Sequence, residues 1–184
     1  MTDRIDPARR LLLHRSARVA ALAAFAVWVP SARAASGARS LALKHTHTGE
    51  RIDLVYAVGG QYVPGAMIAL NRFLRDHYSG EVGLIDPQVF DQLHQLQQRL
   101  GSSGAFEVIS AYRCPATNAR LRAARGGGVA PNSLHLQGRA IDVRLPDTPL
   151  ADLRDAALSL RGGGVGYYPR ERFVHLDTGR VRSW

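Results

Sequence analysis

From residue 40 onward, apolar and polar positions alternate in two rhythms, one of strands and one of amphipathic helices. Leu41 and Leu43 alternate with Ala42 and Lys44 as a strand does, and Gly49 marks a turn after His45-Thr46-His47-Thr48. Residues Ile52 to Val58 alternate loosely as a second strand, ended by Gly59-Gly60. Met67, Ile68, Leu70, Phe73 and Leu74 recur at helical spacing between Gly65 and His77. Asp86-Pro87 opens a second helix to Leu100, with an acidic cap, a proline in the first turn and an inner face of Val89, Phe90, Leu93 and Leu96. Phe106 to Ser110 reads as a strand, and an arginine-rich helix runs from Pro115 to near the glycines at 126–128. Ala140 to Leu145 is a strand, Pro149 to Arg161 a helix, Gly162 to Tyr168 a glycine-rich turn region, and Phe173 to Asp177 the last strand. Helices are grouped and short strands cluster at the two ends, without regular βαβ alternation. That pattern predicts an α+β domain with a small antiparallel sheet packed against helices.

The first 34 residues follow a different order: a basic stretch with Arg9, Arg10, Arg15 and Arg18, an apolar run from Val19 to Val29, then Ala32-Arg33-Ala34. This is the arrangement of an export signal cleaved after Ala34. The apolar run is far shorter than the roughly 20 residues that span a bilayer, so no stable membrane insertion is expected once the signal is gone. Arg9-Arg10 before three leucines resembles a twin-arginine signal. Residues 35–39 are small and polar and are expected to be loose, leaving 40–184 as one domain, a monomer.

Of the formal net charge of +9, the leader holds six arginines against Asp3 and Asp6, which leaves a modestly basic remainder. That balance suits an anionic partner such as a cell wall and equally nucleic acid or lipid headgroups, so it discriminates poorly; with no RNA-binding signature and an export signal, nucleic acid is set aside. Cys114 is the single cysteine, so no intramolecular disulfide is available, and a small buried hydrophobe is its expected role.

Strand parity brings out the chemistry. Ile141 and Val143 take the core face of their strand, so Asp142 and Arg144 point the other way; Val174 and Leu176 do the same, leaving His175 and Asp177 together. His135 lies seven residues before Asp142, with Gly138 between them to allow a tight return. Two histidines and a carboxylate are the ligand set of a catalytic zinc ion, Zn2+, with a fourth position open for water whose pKa the metal lowers towards about 7. His45 and His47 share a strand face as an H-x-H pair, but no third ligand stands near them in sequence, and a turn contact by His47 is expected. His77 and His94 read as solvated helix residues. Tyr167-Tyr168 stands before the metal strand, where lining a groove and packing in the core are both open. Asn118 and Ser133 read as cap or loop hydrogen-bonding residues.

Ser110-Ala111-Tyr112-Arg113, Pro115-Ala116-Thr117-Asn118, the stretch Asn132 to Asp142 and Phe173 to Gly179 closely resemble the YcbK-like murein endopeptidases of the zinc D-Ala-D-Ala peptidase superfamily, whose fold is shared with the hedgehog domain. The similarity runs from His47-Thr48-Gly49-Glu50 to Val181-Arg182-Ser183-Trp184. It implies His135, Asp142 and His175 as zinc ligands, Arg113 as a substrate-contacting cation, and hydrolysis of peptide cross-links in peptidoglycan by an exported, periplasmic enzyme. Many superfamily members carry Glu three residues before the last histidine; here Arg172 stands there. Asp177, two residues after His175 on the same face, is the candidate base or ligand-orienting group, with Glu171 in reserve. Two other readings stay open: a D,D-carboxypeptidase, and a cell-wall binding module that kept zinc without hydrolysis.

Overall fold

The computed structural model describes residues 37–124 and 129–184; the expected export signal lies outside the described residues. One eight-stranded sheet carries the fold, formed by β1 (Ala38–His45), β2 (Arg51–Val58), β3 (Gln61–Tyr62), β4 (Phe106–Ser110), β5 (Ala140–Arg144), β6 (Gly164–Tyr168), β7 (Phe173–Asp177) and β8 (Arg182–Ser183). Their spatial order is β3-β2-β1-β4-β5-β7-β6-β8. Four helices complete it: α1 (Pro64–Phe73), α2 (Pro87–Leu100), α3 (Pro115–Ala124) and α4 (Leu150–Leu160). The α+β class is as expected.

The sheet departs from the expectation of a small antiparallel one. It is mixed: β1 runs parallel to β4, and β6 runs parallel to β8, while the other pairs are antiparallel. The β1–β4 pairing follows from connectivity, because β2, α1 and α2 intervene and return the chain in the same direction. β1 begins at Ala38, inside the stretch expected to be loose.

Helix α2 shows how local sequence fixes an element. Asp86 caps it by accepting from the Gln88 amide at 3.0 Å, Pro87 occupies the first turn, and Gly101 ends it in the left-handed region at φ 63°. Its buried face of Val89, Phe90, Leu93 and Leu96 joins one core with Leu41, Leu43, Phe106, Val108, Ile141, Val143, Leu153, Val174 and Leu176. α2 packs on β1 and α4, and α4 packs on β6 and β7. The alternation read at β5 and β7 therefore holds for the face turned to the helices.

Helix α1 stops at Phe73, short of the expected His77. The Asp76 carboxylate accepts from the Tyr78 and Cys114 amides, both at 2.9 Å, and this local turn competes with continuation of the helix. His77 is consequently not a solvated helix residue: its ring stacks on His47 at 4.2 Å and meets buried His45 at 5.3 Å. Gly162 to Tyr168, expected as a turn region, contains strand β6. Its glycines serve close approach, since a Cβ at Gly164 would lie 2.5 Å from Asp177 Oδ2. Cys114 is buried and free, as expected. Among the described residues no helix is long and apolar enough to cross a membrane.

Candidate metal centre

The strands align one row of residues across the middle of the sheet. Ser110 on β4 pairs with Asp142 on β5, Asp142 with His175 on β7, and His175 with Gly166 on β6. Asp142 and His175 therefore sit side by side on the face away from α2 and α4. Although they point away from the helix-packed core, both residues are buried. The cover comes from a short 3-10 helix, Leu134–Gln137, which delivers His135 from above. Gly138 ends that helix at φ 64°, and a Cβ there would lie 1.8 Å from the Leu84 carbonyl oxygen, so only glycine makes this return. Arg113 N–H donates to the His135 carbonyl at 3.1 Å, tying the 3-10 helix to the end of β4.

Three ligand atoms converge. His175 Nδ1 lies 2.8 Å from Asp142 Oδ1, His135 Nε2 lies 3.3 Å from His175 Nδ1, and His135 Nε2 lies 3.4 Å from Asp142 Oδ1. The opposite nitrogens decide the tautomers. His135 Nδ1 is 2.6 Å from the Ala111 carbonyl oxygen, which only accepts, so Nδ1 carries the hydrogen and Nε2 presents a lone pair. His175 Nε2 is 3.2 Å from Asp177 Oδ2, so a hydrogen points there, and in the neutral ring Nδ1 presents a lone pair. Two bare nitrogens and a carboxylate oxygen facing one point repel one another unless a cation lies between them. Before a metal binds, a proton fills that role: burial opposes a charge on His175, but its hydrogen bonds to Asp142 and Asp177 outweigh it and raise its pKa to about 9, so a metal displaces the Nδ1 proton on binding. Burial likewise opposes ionisation of Asp142, and the two imidazoles overcome it and hold the carboxyl well below the usual range. The site thus favours a positive charge at its centre, and His135, Asp142 and His175 together are able to hold a metal ion.

Asp177 does not face the centre directly. Its Oδ1 accepts from Gly164 N at 2.9 Å, Gly179 N at 2.8 Å and Arg182 Nη1 at 3.2 Å, and its Oδ2 accepts from Arg182 Nη2 at 2.7 Å and from His175. Burial resists that charge, yet these donors keep the carboxyl far below its ordinary pKa.

The three candidate ligands form the floor of a pocket of about 450 Å³. Arg113, Asn132 and Ser133 line one part of it; Tyr168, Phe173 and Trp184 line another. Arg113 donates to Asn118 Oδ1 at 3.3 Å and to Ser110 Oγ at 3.4 Å, and Asn118 in turn donates to the Ala130 carbonyl. Glu171 and Arg172 are exposed and do not line the pocket. His94, expected to be solvated, is half-buried where α2 packs on β1, against Tyr56 and the Ser40 carbonyl. The sequence reading singled out neither Arg182 nor Trp184. Their spacing of two places both on one face of an edge strand, and that was the available signal.

Similarity to known proteins shows the family to which the chain belongs. The chain is 46% identical over 146 residues to a protein of Escherichia coli (strain K12) named peptidoglycan L,D-endopeptidase MepK, covering 79% of this chain and 80% of that one. It is 40% identical over 147 residues to the probable peptidoglycan L,D-endopeptidase MepK of Haemophilus influenzae, covering 79% and 78%. No solved structure matches significantly. A peptidase M15 family model described as peptidoglycan L,D-endopeptidase MepK matches residues 33–184, and the chain belongs to that peptidase family.

Proposed function

We propose that this protein is an exported, zinc-dependent endopeptidase that hydrolyses peptide cross-links of peptidoglycan, of the L,D type for which its relatives are named. The observation that carries the reading is the pair of outward hydrogen bonds, His135 to the Ala111 carbonyl and His175 to Asp177. They turn both imidazole lone pairs onto Asp142 at the floor of an open pocket. Two imidazoles and one carboxylate are the donors of a catalytic zinc ion with an open position. When bound, such an ion supplies Lewis acidity, making hydroxide available near neutral pH and polarising a carbonyl.

The protein's own groups do the rest. Arg113, at the pocket edge and braced by Ser110 and Asn118, offers its guanidinium to the oxygen on which negative charge develops. Asp177, committed to backbone amides and Arg182, orients His175 and is not the group that removes a proton from water in this proposal. Ser133 and Asn132 offer polar groups to a peptide backbone. The leader pattern over residues 1–34 and the modestly basic remainder support action in the cell envelope.

The test incubates purified protein with cross-linked muropeptide dimers, with and without a chelator, beside His135→Ala. Chelator-sensitive conversion of dimer to monomers, lost in the variant, is expected. A second reading, a zinc-containing wall-binding module, draws on one observation: among the described pocket-lining residues Asp142 is the one acidic side chain. Intact dimer with stoichiometric zinc bound favours that module and overturns the hydrolase.

A further inference from the structure

The pocket is chemically lopsided, and its aromatic side is built with care. Trp184 follows β8 and is fixed by backbone hydrogen bonds in both directions: Tyr167 N–H donates to the Trp184 carbonyl at 3.0 Å, and Trp184 N–H donates to the Val165 carbonyl at 3.2 Å. Its indole rests over Gly166, the residue paired with His175. A Cβ at Gly166 would come within 2.8 Å of both the Trp184 and the Tyr168 rings, so this glycine exists to seat them. Trp184 Nε1–H donates to the Tyr168 hydroxyl at 2.7 Å, and Tyr168 stacks on Phe173 at 4.6 Å. The Arg182 guanidinium lies 4.8 Å from the indole centre. The result is an indole held from several directions, 5.3 Å from the His175 ring and still 50% exposed. A large ring that is rigid yet half open to solvent is suited to receive apolar groups at little entropic cost.

The chemistry of a cross-link says what those groups are. Joining two stem peptides requires a second amino group on one of them, carried at the end of an aliphatic side chain. Hydrolysis adds water's oxygen to the carbonyl carbon, breaks the C–N bond and returns water's proton to the amine. The leaving amine therefore trails a run of methylenes, whereas the acyl side is ordinary peptide. Arg113, Asn132 and Ser133 suit the acyl peptide; the aromatic wall suits the methylenes.

We infer that Trp184, seated on Gly166 and tied to Tyr168, is the specificity wall that receives the methylene chain of the leaving amine. This rests on the endopeptidase reading. Two synthetic cross-linked dimers test it, one joined through a long diamino-acid side chain and one through a chain shorter by three methylenes. The wild-type protein is expected to favour the long chain by on the order of tenfold or more in kcat/KM, the worth of several buried methylenes. Trp184→Ala erases the preference through KM with kcat little changed, and Trp184→Phe restores most of it. Equal preference in wild type and Trp184→Ala, or a loss confined to kcat, overturns the inference.

A second readout needs no turnover. The chain holds two tryptophans, and Trp28 lies in the expected leader, so Trp184 is the sole indole emitter once the leader is removed, or in the full chain carrying Trp28→Phe. In that chain carrying His135→Ala, the long-chain dimer is expected to shift and quench the emission at lower concentration than the short one. Identical titrations overturn the wall even where the dimer is bound. Failure of wild type to split either dimer counts against the endopeptidase reading alone, because the emission titration still judges the wall.

Discussion

Asp177→Asn separates a ligand-orienting carboxylate from a general base. The two side chains have the same shape, but the amide keeps one accepting oxygen and puts two N–H donors in place of the other. The retained oxygen belongs opposite the Gly164 and Gly179 amides, which only donate. The new NH2 group then faces Arg182 Nη2 and His175 Nε2–H, donor against donor. His175 escapes by moving its hydrogen to Nδ1, where it points at Asp142 and occupies the lone pair a metal needs. Loss of such an outer partner costs about 10- to 100-fold in metal affinity. Breaking a buried charge pair costs roughly 3 to 5 kcal/mol, and because the Arg182 side chain is 40% exposed the expected loss is nearer about 2 kcal/mol. For a domain of this size that lowers Tm by roughly 4 to 8 °C. Competition with a chromophoric chelator gives the affinity, and calorimetry with and without metal gives the stability. Zinc affinity within threefold of wild type, together with a collapse of kcat, refutes the orienting role and returns Asp177 to candidacy as the base.

Two further expectations follow from the same geometry. Gly138→Ala forces a Cβ onto the Leu84 carbonyl at a positive φ, and is expected to cost at least about 2 kcal/mol and to weaken zinc binding by displacing His135; an unchanged urea midpoint refutes it. Burial first, and then mutual repulsion with neighbouring histidines, lowers His45 and His77 to a pKa of about 4, so the unfolded chain, at about 6.5, binds more protons than the native one between those values. The contribution of these two groups is complete above about pH 6.5 and falls as pH drops towards 4, by up to about 3 kcal/mol from His45; His45→Leu in chelator should flatten that slope in urea titrations, and an unchanged slope refutes the assignment.

Legibility followed the range of the interactions concerned. β4, β7 and the cap of α2 were readable because their signals are local: alternation in five residues, or Asp86-Pro87 before an apolar face. Asp142 and His175 could be paired because strand parity constrains direction; His135 was joined to them by its seven-residue spacing and the family resemblance, and the fold brings the three together. What failed was nonlocal. β6 looked like a turn because its glycines answer to Asp177, Arg182 and Trp184, distant in sequence. The parallel pairings depend on connections that periodicity does not describe. His77 was misplaced because a single carboxylate, Asp76, ends its helix early by reaching Cys114.

The two imidazoles at the centre are steered by different kinds of partner. His175 answers to the Asp177 side chain, so one codon change rewires it directly. His135 answers to the carbonyl of Ala111, a group every amino acid carries. Substitution at position 111 leaves that acceptor chemically intact and reaches His135 only by moving the backbone. In a saturation screen the second histidine's support should appear as a sharp dependence on the chemistry of residue 177, while position 111, buried in the core, should answer to side-chain size alone.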